Sequence, residues 1–284
     1  MVSLYHTAYS ATLNHVKLLN GSELVGYIKE RQAKQVRALR QAHAVFPKLA
    51  IIMTGDSPAS LAYTRLKQVY GQDILVDVDI HKVAIDEVAA RIETLNADDV
   101  VHGIVLQLPL THPEKTDELV ALIAPEKDVD GLGPNAHYIS ATVTAIDWLL
   151  AGYNIALQGA NIVVVGMGRL VGGPLVREWE KRDLQVEGCD ESIVDLTDKL
   201  RAADIVVTAT GVPGLIRSQM LSPGVVVVDA GTASEGGVLV GDVAPEVRER
   251  NDVTITPEKG GVGPLTVAAL IDNAIQAAQA TAKD

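Results

Sequence analysis

Short runs of consecutive apolar residues alternate along this chain with longer stretches in which apolar positions recur every three or four residues. The first pattern suits a strand buried on both faces of a parallel sheet, the second an amphipathic helix. Ser22 is expected to cap a helix that carries Leu24, Val25, Ile28, Val36 and Leu39 among Lys29, Glu30, Arg31, Lys34 and Arg37. A strand is expected at 49–53, ending at Thr54-Gly55-Asp56. Ser57 and Pro58 then open a helix over 58–70: the serine accepts from a free amide, and proline at the first position gives up no needed donor. Strands over 74–79 and 103–108, helices over 86–95 and 115–123, and a turn-rich loop over 125–134 complete a first unit.

A helix over 145–150 precedes Ile162-Val163-Val164-Val165, and the alternation resumes. A helix to about residue 181, a strand over 184–187 and a helix over 194–202 are followed by strands at 204–209, 225–229 and 253–256. A helix over 266–280 closes the chain. This rhythm requires right-handed crossovers and a mostly parallel sheet. The reading is an α/β fold of two units, 1–140 and 141–264, with a final helical segment, 265–284, able to pack on either.

The turn after Val165 carries the first candidate chemistry. Gly166 and Gly168 let the backbone turn sharply and admit a pyrophosphate to the amides of the next helix. The spacing is GxGxxxG, because Val171 stands where the third glycine of the usual dinucleotide fingerprint falls and Gly172 follows it. About twenty residues on, Glu187, Asp190 and Glu191 cluster at the expected end of the next strand. A carboxylate there would bond a ribose diol and repel a 2′-phosphate, which favours NAD over NADP; a solvated acidic loop is the alternative.

Composition narrows the classes. A chain of 284 residues, 48% hydrophobic and 21% charged, can bury an ample core. A formal net charge of −12 argues against nucleic acid or an anionic membrane as the main partner. The single cysteine, Cys189, leaves no disulfide framework. Residues 1–20 hold no apolar run of signal-peptide length, and no stretch is long enough to span a bilayer, so a cytoplasmic protein is expected. The histidines show no metal-like pairing, and neither a nucleophile elbow nor a phosphate-loop lysine is present. No metal site is expected.

Tyr63 and Lys67 stand four apart and share one helix face. They belong either to a surface helix or to a cleft wall. For a lysine to act as a base near neutral pH its pKa must fall by roughly 3 from ~10.4, worth about 4 kcal/mol of desolvation or neighbouring positive charge. Gln107, at the carboxyl end of an apolar strand, lies where ligands of open α/β sheets bind. Asp128 and Asp130 are turn formers or site acids.

Four segments in order, Ser60-Leu61-Ala62-Tyr63-Thr64-Arg65-Leu66-Lys67, Gly103-Ile104-Val105-Leu106-Gln107-Leu108-Pro109-Leu110, Lys127-Asp128-Val129-Asp130-Gly131 and Gly260-Gly261-Val262-Gly263-Pro264-Leu265-Thr266-Val267, resemble the bifunctional methylenetetrahydrofolate dehydrogenase/cyclohydrolase family. The resemblance implies a folate-binding first domain completed by the C-terminal helix, a Rossmann-type doubly wound second domain, and a homodimer. It implies oxidation of 5,10-methylenetetrahydrofolate with NADP or NAD, then hydrolysis of the methenyl product to 10-formyltetrahydrofolate. By position, Lys67 is the implied catalytic lysine, Tyr63 stacks on the folate and holds Lys67, Gln107 tunes it, and Asp130 anchors the pterin. Gly261 and Pro264 are implied substrate contacts. Gly166, Met167, Gly168, Arg169, Val171, Gly211 and Thr232 are implied dinucleotide contacts, beside Glu187 and Asp190.

Departures from the family cluster on the cofactor side. Residues 140–145, Ser-Ala-Thr-Val-Thr-Ala, replace the usual Pro-Cys-Thr-Pro-x-Gly, Gly168 replaces a serine, Met167 a basic or small residue, and Lys259 a proline. The segment after the second strand of the second unit is acidic instead of basic. NADP, the family's common choice, is therefore not assumed. A monofunctional enzyme of the same fold and a non-catalytic folate or dinucleotide sensor stand as alternatives; retention of Tyr63, Lys67, Gln107 and Asp130 together speaks against the sensor.

Overall fold

The computed structural model describes residues 17–235 and 238–282. Residues 1–16 of the polar N-terminal stretch lie outside the described residues. The described chain opens with a two-residue strand, β1 (Lys17–Leu18), and helix α1 (Gly21–Ala42). Asn20, not Ser22, caps α1: its side chain accepts from Ser22 N at 3.1 Å. Three parallel strands follow, β2 (Lys48–Met53), β3 (Asp77–Lys82) and β4 (Gly103–Leu106), in the order β3-β2-β4. Helices α2 (Pro58–Ile74), α3 (Val88–Asn96) and α4 (Thr116–Val120) connect and follow them. Helix α2 begins at Pro58 with Ser57 as its cap, and runs past the expected stop at residue 70. Gly71 continues the helix and seats it on the sheet, since a Cβ there would lie 2.6 Å from Val78 Cγ2. The turn falls instead at Leu75, in left-handed conformation with φ of 66°, so β3 begins at Asp77 and not at 74.

The second unit runs α5 (Ala141–Gly152), β5 (Ile162–Val165), α6 (Gly172–Glu180), β6 (Val186–Cys189), α7 (Thr197–Ala202), β7 (Ile205–Thr208) and β8 (Val226–Asp229). A hairpin of β9 (Ala233–Glu235) and β10 (Val238–Val240), which the hydrophobic pattern does not announce, is followed by α8 (Pro245–Arg248), β11 (Thr254–Ile255) and α9 (Val262–Thr281). Among the described residues a six-stranded sheet has the order β1-β11-β8-β7-β5-β6, parallel throughout. The chain leaves β5 toward β6 on one side and returns to β7 on the other, which makes the carboxyl ends of β5 and β7 the topological switch point. Strand β6 sits two residues later than expected, because Leu184 is used to close the end of α6, its N–H donating to Trp179 O at 3.1 Å.

Helix α9 is apolar nearly all round, with Leu265, Ala268, Leu270, Ile271 and Ala274 buried, and it packs against α1, α2 and α5. One apolar cluster runs from Leu49 and Ile51 of β2 through α9 and α5 to Ile162, Val164, Val207 and Val228 of the second sheet. The two sheets thus share a core. No helix among the described residues is long and apolar enough to cross a membrane.

Candidate active site

The first group of site residues gathers at the carboxyl ends of β2 and β4. Gln107 N donates to Ile52 O at 2.9 Å, which fixes the backbone one residue beyond β4. Its side-chain Nε2 donates to Leu108 O at 2.9 Å, so the acceptor Oε1 must face the other way. There Lys67 Nζ, from the middle of α2, donates to it at 3.0 Å. Tyr63, one turn earlier on α2, is half-buried, but the hydrogen bond of Lys67 runs to Gln107 and not to the Tyr63 hydroxyl.

The segment Lys127-Asp128-Val129-Asp130-Gly131 divides its labour residue by residue. Lys127 Nζ donates to Leu95 O, Asn96 O and Asp98 O at 3.1, 2.8 and 2.8 Å and so closes the end of α3. Asp128 is buried and accepts from Gly131 N at 3.1 Å and Gly133 N at 2.6 Å, the turn former of the two acids. Val129 is in the core. Asp130 faces Lys67. Burial pushes the Asp130 carboxyl above the ordinary carboxylate range, against the pull of the Lys67 charge. Desolvation likewise holds Lys67 below the ordinary lysine value, and Asp130 opposes that shift. Asn273 of α9, a residue the sequence does not single out, donates to Val129 O at 2.8 Å and Ile139 O at 3.0 Å and ties this loop to the last helix.

Gly261 caps the start of α9 and Pro264 is in its first turn, so the helix begins at Val262, four residues before the expected start at 266. The preceding Gly260 O accepts from Ser22 N at 3.0 Å, which seats this loop on the start of α1.

The second group surrounds the switch point. Gly166 has φ of +93°, and a Cβ there would lie 2.6 Å from Ala209 O, so the turn after β5 rests on the loop after β7. A Cβ on Gly172 would lie 1.9 Å from Gly166 O. Gly172 thus supplies the close helix–strand approach expected of the third glycine, and the extra residue in the spacing is Val171, the cap of α6. Beside Gly168 nothing lies within 4 Å of a Cβ position; this side of the loop is open. Backbone amides at a helix start and space for a pyrophosphate fit a dinucleotide. Arg169 pairs with Asp117 of α4 and links the glycine loop to the first unit. Gly211 has φ of +70° in the loop after β7, and Thr232 is exposed in the loop after β8.

The acidic cluster separates. Glu187 lies opposite Val163, short of the strand end, and pairs with Lys199 of α7. Asp190 follows Cys189, which is level with Val165 at the end of β5. Its Oδ1 accepts from Ser192 N at 2.9 Å and Ser192 Oγ at 2.5 Å, bonds that hold its pKa below the ordinary value. Met167 folds over the same strand end, where a Cβ on Gly188 would lie 2.5 Å from its Sδ. Sequence reasoning also missed Thr208 and Asp242, buried behind this crevice; only the fold brings them there.

A half-buried lysine beside the end of one parallel sheet and a glycine loop at the switch point of a second define a two-domain dinucleotide enzyme. Family models described as "Tetrahydrofolate dehydrogenase/cyclohydrolase, catalytic domain" and "Tetrahydrofolate dehydrogenase/cyclohydrolase, NAD(P)-binding domain" match residues 19–130 and 140–282. The bifunctional protein FolD of Desulforamulus reducens is 36% identical over 276 residues, 93% of this chain and 97% of the relative. The crystal structure of the Campylobacter jejuni bifunctional methylenetetrahydrofolate dehydrogenase/cyclohydrolase superposes with a TM-score of 0.87 at 34% identity, covering 93% of this chain and 99% of that one. The Trypanosoma brucei methylenetetrahydrofolate dehydrogenase-cyclohydrolase, complexed with NADP and an inhibitor, has a TM-score of 0.87 at 29% identity, over 94% and 98%. The chain belongs to the tetrahydrofolate dehydrogenase/cyclohydrolase family.

Proposed function

We propose that this protein oxidises 5,10-methylenetetrahydrofolate to the 5,10-methenyl cation and hydrolyses that cation to 10-formyltetrahydrofolate, with Lys67 as the central catalytic residue. The observation that carries the reading is the partly desolvated Lys67, held by Gln107 and facing Asp130. The bound nicotinamide supplies the hydride acceptor. Asp130 binds the pterin and Tyr63 stacks on the folate, with Gly261 and Pro264 as further substrate contacts. In hydrolysis water adds to the methenyl carbon and loses a proton, and the ring opens to the formyl amide. Lys67, with its pKa lowered, takes up that proton and returns it to N5 as the C–N5 bond breaks, while the new hydroxyl loses its own proton to solvent, and Gln107 Oε1 aims the Lys67 Nζ. The relatives named above as bifunctional support both activities in one chain.

The preferred dinucleotide is NAD, bound by Gly166, Met167, Gly168, Arg169, Val171, Gly211 and Thr232. Two features support this choice. Asp190 directly follows the end of β6, level with the end of β5, whereas Glu187 lies two residues short of it, and Met167 covers the same strand end with a thioether instead of a cation. A carboxylate there repels a 2′-phosphate. The working unit is a homodimer, measurable by sedimentation.

The test pairs two assays. Reduction of NAD and NADP is followed on 5,10-methylenetetrahydrofolate, then decay of the methenyl product. Faster NAD reduction that Asp190→Asn erodes is the expected result; faster NADP reduction sinks the ribose assignment. Lys67→Met is expected to abolish hydrolysis, and an unchanged rate removes Lys67 from its role.

A further inference from the structure

Behind the dinucleotide crevice the fold buries a second polar cluster, Asp229, Asp242, Thr208 and Arg248, that the chemistry above does not use. Asp242 and Thr208 are wholly buried. Asp242 Oδ2 accepts from Thr208 Oγ1 at 2.7 Å and from Thr210 N at 2.6 Å, both at the end of β7. Its carboxylate also lies on Gly231, just after β8, where a Cβ would come within 2.1 Å of Oδ1. Asp229 reciprocates. It accepts from Gly231 N at 3.2 Å and Asp242 N at 3.0 Å, and a Cβ on Gly241 would come within 2.1 Å of its Oδ2. The pair interlocks the end of β8 with the segment that follows β10.

The charges are not shared evenly. Arg248 Nη2 pairs with Asp229 at 2.7 Å. Among the described residues Asp242 has no ion pair, and its Oδ1 is a buried acceptor without a hydrogen bond. An unmet acceptor on a buried carboxylate is unfavourable, and such exceptions in native folds call for a reason. The reason lies in what Asp242 touches. Thr210 and Ala209 form the surface on which Gly166 rests, and Gly211 lies 3.5 Å, from its Cβ position, from Thr232 O. A displacement at Asp242 therefore reaches the turns after β5, β7 and β8 together.

We propose that Asp242 is the positioning residue of the dinucleotide crevice, holding the loop after β7 against the loop after β8 so that Gly211 and Thr232 face the glycine turn. This rests on the assignment of those two loops to the dinucleotide. Lys67, Gln107 and Asp130 lie at the other sheet and share no hydrogen bond with Asp242, so hydrolysis serves as an internal control.

The experiment measures dinucleotide KM, folate KM and methenyl hydrolysis for Asp242→Ala, Asp242→Asn, Thr208→Val and Thr232→Trp in the full chain. Asp242→Ala is expected to raise dinucleotide KM by about tenfold or more, and Thr208→Val to raise it less, with hydrolysis unchanged. Asp242→Asn keeps an acceptor for Thr208 and Thr210, and is expected to restore KM to within about threefold of the parent. If Thr232→Trp raises dinucleotide KM while Asp242→Ala does not, the positioning role is overturned and the loop assignment stands. If neither raises it, the loop assignment falls and the proposal with it. Should Asp242→Ala fail to fold, Thr208→Val decides: a raised KM with normal hydrolysis supports the role, and an unchanged KM or an equal loss of both activities overturns it.

Discussion

Lys67 shows how a single side chain acquires chemistry from its neighbours. Desolvation destabilises its ammonium, Asp130 stabilises it, and desolvation is the larger influence, so the pKa lies below the ordinary value. A neutral lysine accepts a proton, so hydrolysis should rise with pH through that lowered pKa and then level. Replacing Asp130 by Asn removes the negative charge that favours the ammonium. The rising limb is then expected to move to lower pH, and folate KM to increase; a pH–rate profile of methenyl hydrolysis checks the first and saturation kinetics the second. A limb that moves upward contradicts the electrostatic account. Gln107→Leu removes a bond to the charged form and should shift the limb in the same direction.

At the scale of elements, the glycine turn between β5 and α6 separates glycines that the sequence leaves equivalent. Alanine in place of glycine inside a helix ordinarily gains about 1 kcal/mol in propensity. At Gly172 the new Cβ would lie 1.9 Å from Gly166 O, a backbone atom that cannot rotate aside. Overpacking then outweighs propensity, and Gly172→Ala is expected to lose about 2 kcal/mol and to weaken dinucleotide binding. Gly168→Ala meets nothing within 4 Å and should change stability by less than about 0.5 kcal/mol. Denaturant titration of the two variants side by side distinguishes them; equal losses contradict the packing geometry.

For the whole molecule, the decisive feature is that the two sheets do not have separate cores. The apolar cluster passes from β2 through α9 and α5 into β5, β7 and β8, and β1, at the start of the described chain, is the edge strand of the second sheet, paired with β11. Thermal unfolding is expected to give one calorimetric transition, and two resolved transitions would show that the units melt independently. Asn273 makes a sharper probe of the same coupling. Its loss leaves Val129 O and Ile139 O without their donor, and Asn273→Ala is expected to lose about 2 kcal/mol while raising folate KM through the Asp130 loop.

Much of this was legible in the order of residues. Runs such as Ile162 to Val165 are apolar at every position because a parallel strand is covered on both faces, and Ser57-Pro58 opens α2 because caps are local. The lysine–tyrosine spacing and the four motifs named the segments of the candidate site from local pattern alone: they depend on neighbours a few residues away. Tertiary structure decided what depends on distant partners. It separated Asp128, which closes a turn, from Asp130, which faces Lys67, and turned Glu187 toward Lys199 while leaving Asp190 at the strand end. It also brought Asn273 and Asp242, from late in the chain, beneath loops fixed far earlier. Periodicity assigns a residue to a face of its own element, but which residue meets it across a crossover depends on strand order and register, which local spacing does not encode.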